Sequence, residues 1–293
     1  MPNTRDIRRR IRSVKNTAQL TKAMQMVASS KMRKAQEAAL AGRPYASLLT
    51  RVLAEVSQHT GDFVHPLMEI KPVRRRAIVI VSTDRGLCGA LNANLFREAA
   101  KTDPANTVYV AAGRKGAQFV ARTRRQLAAE FSYRDTPSFS EARAISNFVR
   151  DLFLKGEVDE VEVLYNNFIS TVTQKPQYAP FLPVGQLTGL TGDIGGESSA
   201  VPLAAGTTEF IFEPGPADVL GSLLPHYLNF LMYQFLLEAK ASEHSARMVA
   251  MKNATDNANE LIRDLTLEYN KLRQAIITKE LLEITTAAAS VTS

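Results

Sequence analysis
The chain has 293 residues, 45% hydrophobic and 22% charged, with a formal net charge of +7. That balance excludes wholesale disorder, and no apolar run reaches the roughly 18 residues that cross a bilayer. A single cysteine, Cys88, excludes an intrachain disulfide and the common zinc frameworks, and it fits a reducing compartment.

The excess charge sits at one end. Residues 1–40 carry ten Lys or Arg against two acids, Asp6 and Glu37. Such a segment favours an anionic partner: nucleic acid, an anionic membrane surface or an acidic protein. Ile7, Ile11, Val14, Ala18, Thr21, Ala28, Met32, Ala35 and Ala39 fall at alternating steps of four and three, with Gln25 in one slot. This heptad stripe predicts one long helix, N-capped near Asn3 or Thr4, bent near Pro44 and ended before Gly61. The stripe runs past residue 35 without a break, which argues against an Arg-rich transit peptide.

In the middle of the chain the period changes. "RRRAIVIVSTDRG" predicts a buried strand at Ala77–Ser82 followed by a helix from Leu91, and "NTVYVAAGRKGAQFVAR" repeats the plan with a strand at Val108–Ala112. A helix at Ser140–Lys155, a strand at Val161–Asn166 and extended runs near Gln177–Val184 and Glu209–Glu213 complete an α/β unit with a largely parallel sheet. Residues 185–208 are rich in Gly, Ser and Thr and read as a loop. After Pro216 and Pro225, which read as start or kink signals, no Pro or Gly interrupts His226–Ser293. Ala258, Ile262, Leu265, Tyr269, Leu272 and Ile276 again step by four and three. A helix of that length is a coiled-coil or bundle member. The fold class is therefore α/β with two long terminal helices free to pair antiparallel, and their seam is small and polar rather than leucine-rich.

The glycine motifs are incomplete. In "DRGLCGALNANL" the spacing of Gly86 and Gly89 is not GxGxxG, no GK[ST] occurs, and Gly113 and Gly116 stop short of a fingerprint. Structural βα turns are the simpler reading, and no cofactor site is predicted. Cys88 has no histidine near it in sequence, and His59, His65, His226 and His244 share no motif, so neither a catalytic nor a metal site is predicted. The stretch "TKAMQMVASSKMRKAQ" (21–36) holds three methionines, four Lys or Arg and no acid. A solvated face and phosphate binding by Arg8, Arg9 and Arg10 both remain readings of this basic helix. The lack of any aromatic residue before Arg43 weakens the second. A third reading is a helix moving against an acidic protein, for which flexible methionines are suited. Lys31, Arg33 and Lys34 have no acid nearer in sequence than Glu37, which predicts little internal pairing.

Three stretches carry a resemblance over essentially the whole chain: "IRSVKNTAQLTKAMQMVASSKMRKA" (11–35), "STDRGLCGALNANLF" (82–96), and "SEHSARMVAMKNATDNA" with "YNKLRQAIITKELLEIT" (242–258 and 269–285). Together the sequence resembles the gamma subunit of bacterial-type rotary ATP synthases. The resemblance implies a central stalk: a shaft of helices 1–58 and 216–293 forming an antiparallel coiled coil, and a Rossmann-like domain over 76–214. The shaft would stand inside a ring of three alpha and three beta subunits. The domain would join the epsilon subunit and the membrane rotor ring of c subunits, on the cytoplasmic side of the cell membrane. One copy per complex, no bond chemistry of its own and no nucleic acid partner are implied. Met24 and its neighbours match the position facing acidic lever segments of the beta subunits, where Lys31, Arg33 and Lys34 would also face. Arg247, Gln274 and Thr278 match positions contacting the ring's loops. The family usually has Gly where this chain has Ala287, and the single cysteine excludes the paired-cysteine switch of the plastid form.

Overall fold
The structure, a computed structural model, describes residues 4–59, 65–184, 213 and 215–291. Two helices dominate it: α1 (Thr4–His59), with Pro44 inside, and α5 (Pro216–Val291), with Pro225 inside. The second begins at Pro216, the first of the two prolines read as start or kink signals. Pro216 occupies its first turn, where the missing N–H costs nothing. The expected loop at 185–208, and most of the extended run near Glu209–Glu213, lie outside the described residues.

Between these helices come β1 (Arg76–Val81), α2 (Leu91–Ala100), β2 (Thr107–Ala112), α3 (Arg114–Arg122), β3 (Gln126–Phe131), α4 (Phe139–Leu154), β4 (Glu160–Phe168) and β5 (Gln174–Leu182). The sheet order is β3-β2-β1-β4-β5. The first four strands are parallel and β5 runs antiparallel to β4. Pro176 and Pro180 are tolerated in β5 because it is an edge strand. β3, at the other edge, is a strand the hydrophobic pattern does not predict.

The chain divides into two compact units, Met1–Val27 with Met248–Ser293, and Ala28–Arg247. In the second unit α2 and α3 cover one sheet face, over Ile78, Ile80, Tyr109 and Leu164. The other face, with Val79, Val81, Val110, Val163 and Tyr165, packs against α4, against Leu49, Leu53 and Val56 of α1, and against the Leu220–Ala239 stretch of α5. In the first unit Thr21 Oγ1 lies 2.7 Å from Thr255 Oγ1, and Arg8 hydrogen-bonds Tyr269. Thirteen residues back along α1 thus correspond to fourteen forward along α5, so the helices pair antiparallel. Ile7, Ile11, Val14, Ala18 and Thr21 turn inward, as do Thr255, Ala258, Ile262, Leu265, Tyr269 and Leu272. Ile276, which the heptad pattern places in the seam, is instead 41% exposed. In this register Leu272 is level with the start of α1 at Thr4, so the periodic pattern outlasts its partner helix.

Candidate partner interface
Doubly wound sheets bind ligands beyond the carboxyl ends of their strands, where the strand order reverses. Here that place lies between β1 and β4, and the chain fills it with its own groups. Ser242 Oγ donates to Asn166 O at 2.8 Å, and Ser245 Oγ to Thr171 O at 2.7 Å. Arg247 Nη2 donates to Gly86 O at 3.3 Å. The start of α3, where a phosphate would sit, is also taken. Gly113 N–H donates to Phe131 O, Arg114 N–H to Asp84 Oδ1, Lys115 N–H to Thr83 O, and Gly116 N–H to Ser82 Oγ. Its glycines answer a packing need: a Cβ on Gly113 would stand 2.3 Å from Ser82 O, and one on Gly116 2.9 Å from Ser82 Oγ.

Cys88 is buried and accepts a hydrogen bond from Asn92 Nδ2 at 3.4 Å, and burial pushes its thiol above the ordinary value. A thiol in that setting is a poor nucleophile. At the opposite end of the sheet, a cleft of about 520 Å³ is lined by Arg74, Arg76, Glu98, Lys101, Glu162 and Tyr178, among others. Arg76 there is held by Glu160 at 3.2 Å and Glu162 at 3.3 Å. Among the described residues no group of three or more His, Cys, Asp or Glu is placed to hold a metal ion, and no helix is long and apolar enough to cross a membrane.

The residues picked out by resemblance fall in distinct settings. Met24 is half-buried on α1, while Arg33 and Lys34 are exposed. Lys31 differs from the expectation of little internal pairing: its Nζ lies 2.5 Å from Asp135 Oδ2, on the loop after β3. An acid 104 residues away in sequence supplies the partner. Gln274 and Thr278 are exposed on α5, and Thr278 Oγ1 donates to Gln274 O at 2.9 Å. Arg247 keeps only 12% of its side chain exposed and pairs with Glu243 Oε1 at 2.8 Å.

These contacts belong to a chain of alternating charge in the second unit. Lys31 meets Asp135, whose Oδ1 lies 3.8 Å from Lys240 Nζ. Lys240 meets Glu243 Oε2 at 3.0 Å, and Glu243 meets Arg247. The Lys240 ammonium also sits 4.5 Å from the centre of the Tyr133 ring, whose hydroxyl donates to Ser82 O at 2.9 Å. The hydrogen bond from Lys31 holds the Asp135 carboxyl below its usual range, against the opposing effect of burial. His244, beside Glu243, is pushed below the ordinary histidine value by burial, and neither of its ring nitrogens has a hydrogen-bond partner among the described residues. The sequence reading missed Asp135, Lys240 and Glu243. The steps of three and four from Lys240 to Glu243 to Arg247 were a visible signal, but the position of Asp135 was not.

A family model described as ATP synthase matches residues 3–291. The chain is 50% identical to the ATP synthase gamma chain of Opitutus terrae and 45% identical to that of Methylacidiphilum infernorum, in both cases over 98% of either chain. Among solved structures, a chain of the Euglena gracilis mitochondrial ATP synthase in rotational state 3 matches with a TM-score of 0.68 at 18% identity, covering 98% of this chain and 94% of that one. A chain of the Tetrahymena thermophila mitochondrial ATP synthase central stalk and c-ring structure matches with a TM-score of 0.60 at 24% identity, covering 80% of this chain and 99% of the other. The fold is shared at that distance, and the closer sequence relatives fix the lineage: the chain belongs to the ATP synthase gamma-chain family.

Proposed function
We propose that the chain is the central-stalk rotor subunit of an ATP synthase, coupling ion translocation in the membrane sector to ATP synthesis or hydrolysis in an alpha/beta ring by its own rotation. The observation that carries this, beside family membership, is the one-sided helix pair. Residues 4–27 and 248–272 bury a narrow seam and leave Leu20, Met26, Leu261 and Leu267 on the outside, followed by exposed Leu281 and Ile284. Exposed apolar surface of that extent needs a partner. In this reading 1–58 and 216–293 form the shaft, and 76–214 the domain that meets the epsilon subunit and the ring of c subunits. One copy serves each complex, and the chain performs no bond chemistry. It is held peripherally on the cytoplasmic side of the cell membrane.

Met24, Arg33 and Lys34 then face acidic levers of the beta subunits, with Lys31 offering its stem while its ammonium is drawn to Asp135. Gln274 and Thr278 meet loops of the ring, and Arg247 reaches it with its small exposed part. The test is Arg33→Glu with Lys34→Glu in the assembled complex in membrane vesicles. Folding should barely change, since Glu is a good helix former. ATP-driven pumping should fall further than ATP hydrolysis, and added salt should narrow the gap. An unchanged ratio of pumping to hydrolysis at low salt would return this face to mere solvation.

A further inference from the structure
We propose that Asp135 is a positioning residue of the rotor: by holding Lys31 of α1 and Lys240 of α5 at the carboxyl end of the sheet, it fixes the setting of both helices, so that twist passes from the α/β sheet to the helices without slip. This rests on the rotor reading above. The geometry carries the rest. Around Leu49, Leu53 and Val56 of α1, and along Leu220–Ala239 of α5, the helices lie in an apolar core. Apolar burial is non-directional and resists sliding or turning of a helix about its own axis only through side-chain shape. Charged hydrogen bonds have direction and stronger geometry.

The one described side chain outside the two helices that ion-pairs with both is the Asp135 carboxylate, hydrogen-bonded through Oδ2 to Lys31 Nζ at 2.5 Å and with Oδ1 3.8 Å from Lys240 Nζ, an ion pair longer than a hydrogen bond. From there the chain passes to Glu243, then to Arg247, and Arg247 Nη2 ends on the carbonyls of Arg85 and Gly86, just past β1. The carboxyl ends of two parallel strands are therefore tied to both helices, through the Asp135 loop after β3 and through the turn after β1. Side chains of Lys240 and Glu243 are only 2% and 4% exposed. Buried charges persist in one arrangement because any other leaves them unpaired. The outer pair, Lys31 with Asp135, is partly exposed and contributes little to stability on its own. Its role is orientation rather than stability.

The experiment exchanges the charges in the assembled complex. Asp135→Lys and Lys31→Asp are made singly and together, with Asp135→Glu as the conservative variant, and ATP-driven pumping is divided by ATP hydrolysis in vesicles. Each single change should lower that ratio roughly threefold, the size a partly exposed pair supports. Asp135→Glu should keep most of it, and the double exchange should do better than Asp135→Lys alone while falling short of the parent, because the lysine introduced at 135 still faces Lys240. If Lys31 acted on the ring instead, the double exchange would be no better than Asp135→Lys alone, and the proposal would fail. It would also fail if Asp135→Lys left the ratio unchanged.

A second measurement covers variants that do not assemble and does not depend on the rotor reading. In the full-length chain, Asp135→Asn should speed hydrogen exchange in the helical turns around Lys31 and Lys240 together, several-fold. Exchange unchanged in both turns would overturn the proposal. A wild-type complex that hydrolyses ATP and never pumps would count against the rotor reading, while the exchange result would still decide the role of Asp135.

Discussion

In the unit formed by residues 4–27 and 248–291, the two long helices meet through Ile7, Ala18, Thr21, Thr255, Ala258 and Leu265, with one hydroxyl pair between threonines as the buried polar contact at mid-seam. In the unit Ala28–Arg247 α1 keeps an exposed face with Arg33, Lys34 and Leu40, but α5 is buried on every side from Gln234 to Ser245, including Glu238, Lys240, Glu243 and His244. Small side chains bring two helices close but remove little apolar area from water, so the first pairing is the weaker by burial. It also leaves most of each helix surface outward, with Leu20, Met26 and Leu267 each more than 60% exposed. In the second pairing it is α5 that turns its whole surface inward. One pair of helices is thus a platform along one part of its length and a contact surface along another.

The largest expected effect tests the platform. Glu243→Ala removes the carboxylate shared by Lys240 and Arg247. Leaving a buried charge unpaired typically costs about 3–5 kcal/mol. Urea unfolding of the purified full-length chain measures it. A loss below about 1 kcal/mol, the value of an exposed pair, would mean that apolar contacts alone hold this unit.

A smaller effect is expected in the seam. Ala18 is 7% exposed and lies in the row with Thr21 and Val14. Ala18→Phe should overpack the close approach, at about 1–3 kcal/mol. Thermal melting followed by circular dichroism reports it, and an unchanged melt would show that the seam is loose enough to be no seam.

The smallest effect is in pH dependence. Burial lowers the pKa of His244 in the folded chain, with Lys240 and Arg247 adding to the shift and Glu243 and Asp135 opposing it. Below the ordinary histidine value of about 6.5, the unfolded chain takes up a proton that the folded chain resists. Stability at this site is therefore intact above that pH and is lost as the pH falls below it, by at most about 1.4 kcal/mol per pH unit. His244→Gln should flatten the fall in melting temperature between about pH 6.5 and 5. Parallel curves for the two proteins would remove His244 from the account.

What could be read from the sequence follows the same division. The heptad rows of both helices were legible because one face is buried and the others are not. β1, β2 and β4 were legible because interior parallel strands are continuous apolar runs. β3 was not, since "QLAAEF" lies at an exposed edge with only Leu127 and Phe131 as large apolar residues. The antiparallel course of β5 was equally silent. Ile276 misled because the period continues where the partner helix has ended. Gln274 and Thr278 came from resemblance alone, for nothing in their local pattern marks them, whereas Met24 lies in the methionine-rich basic stretch 21–36. The helix stretch 238–245 is rich in polar residues that read as a solvated face yet are buried all round, and Lys31 finds its acid on a loop far along the chain.

The central claim is that this chain is the rotor of its complex. Gln118 lies exposed on α3, so Gln118→Cys in a Cys88→Ser background gives a single attachment point for a bead, with the alpha/beta ring fixed to glass. The account predicts sustained rotation of the bead in one direction when ATP is added, stopping when ATP is removed. A complex that hydrolyses ATP at its normal rate while the bead stands still would contradict it.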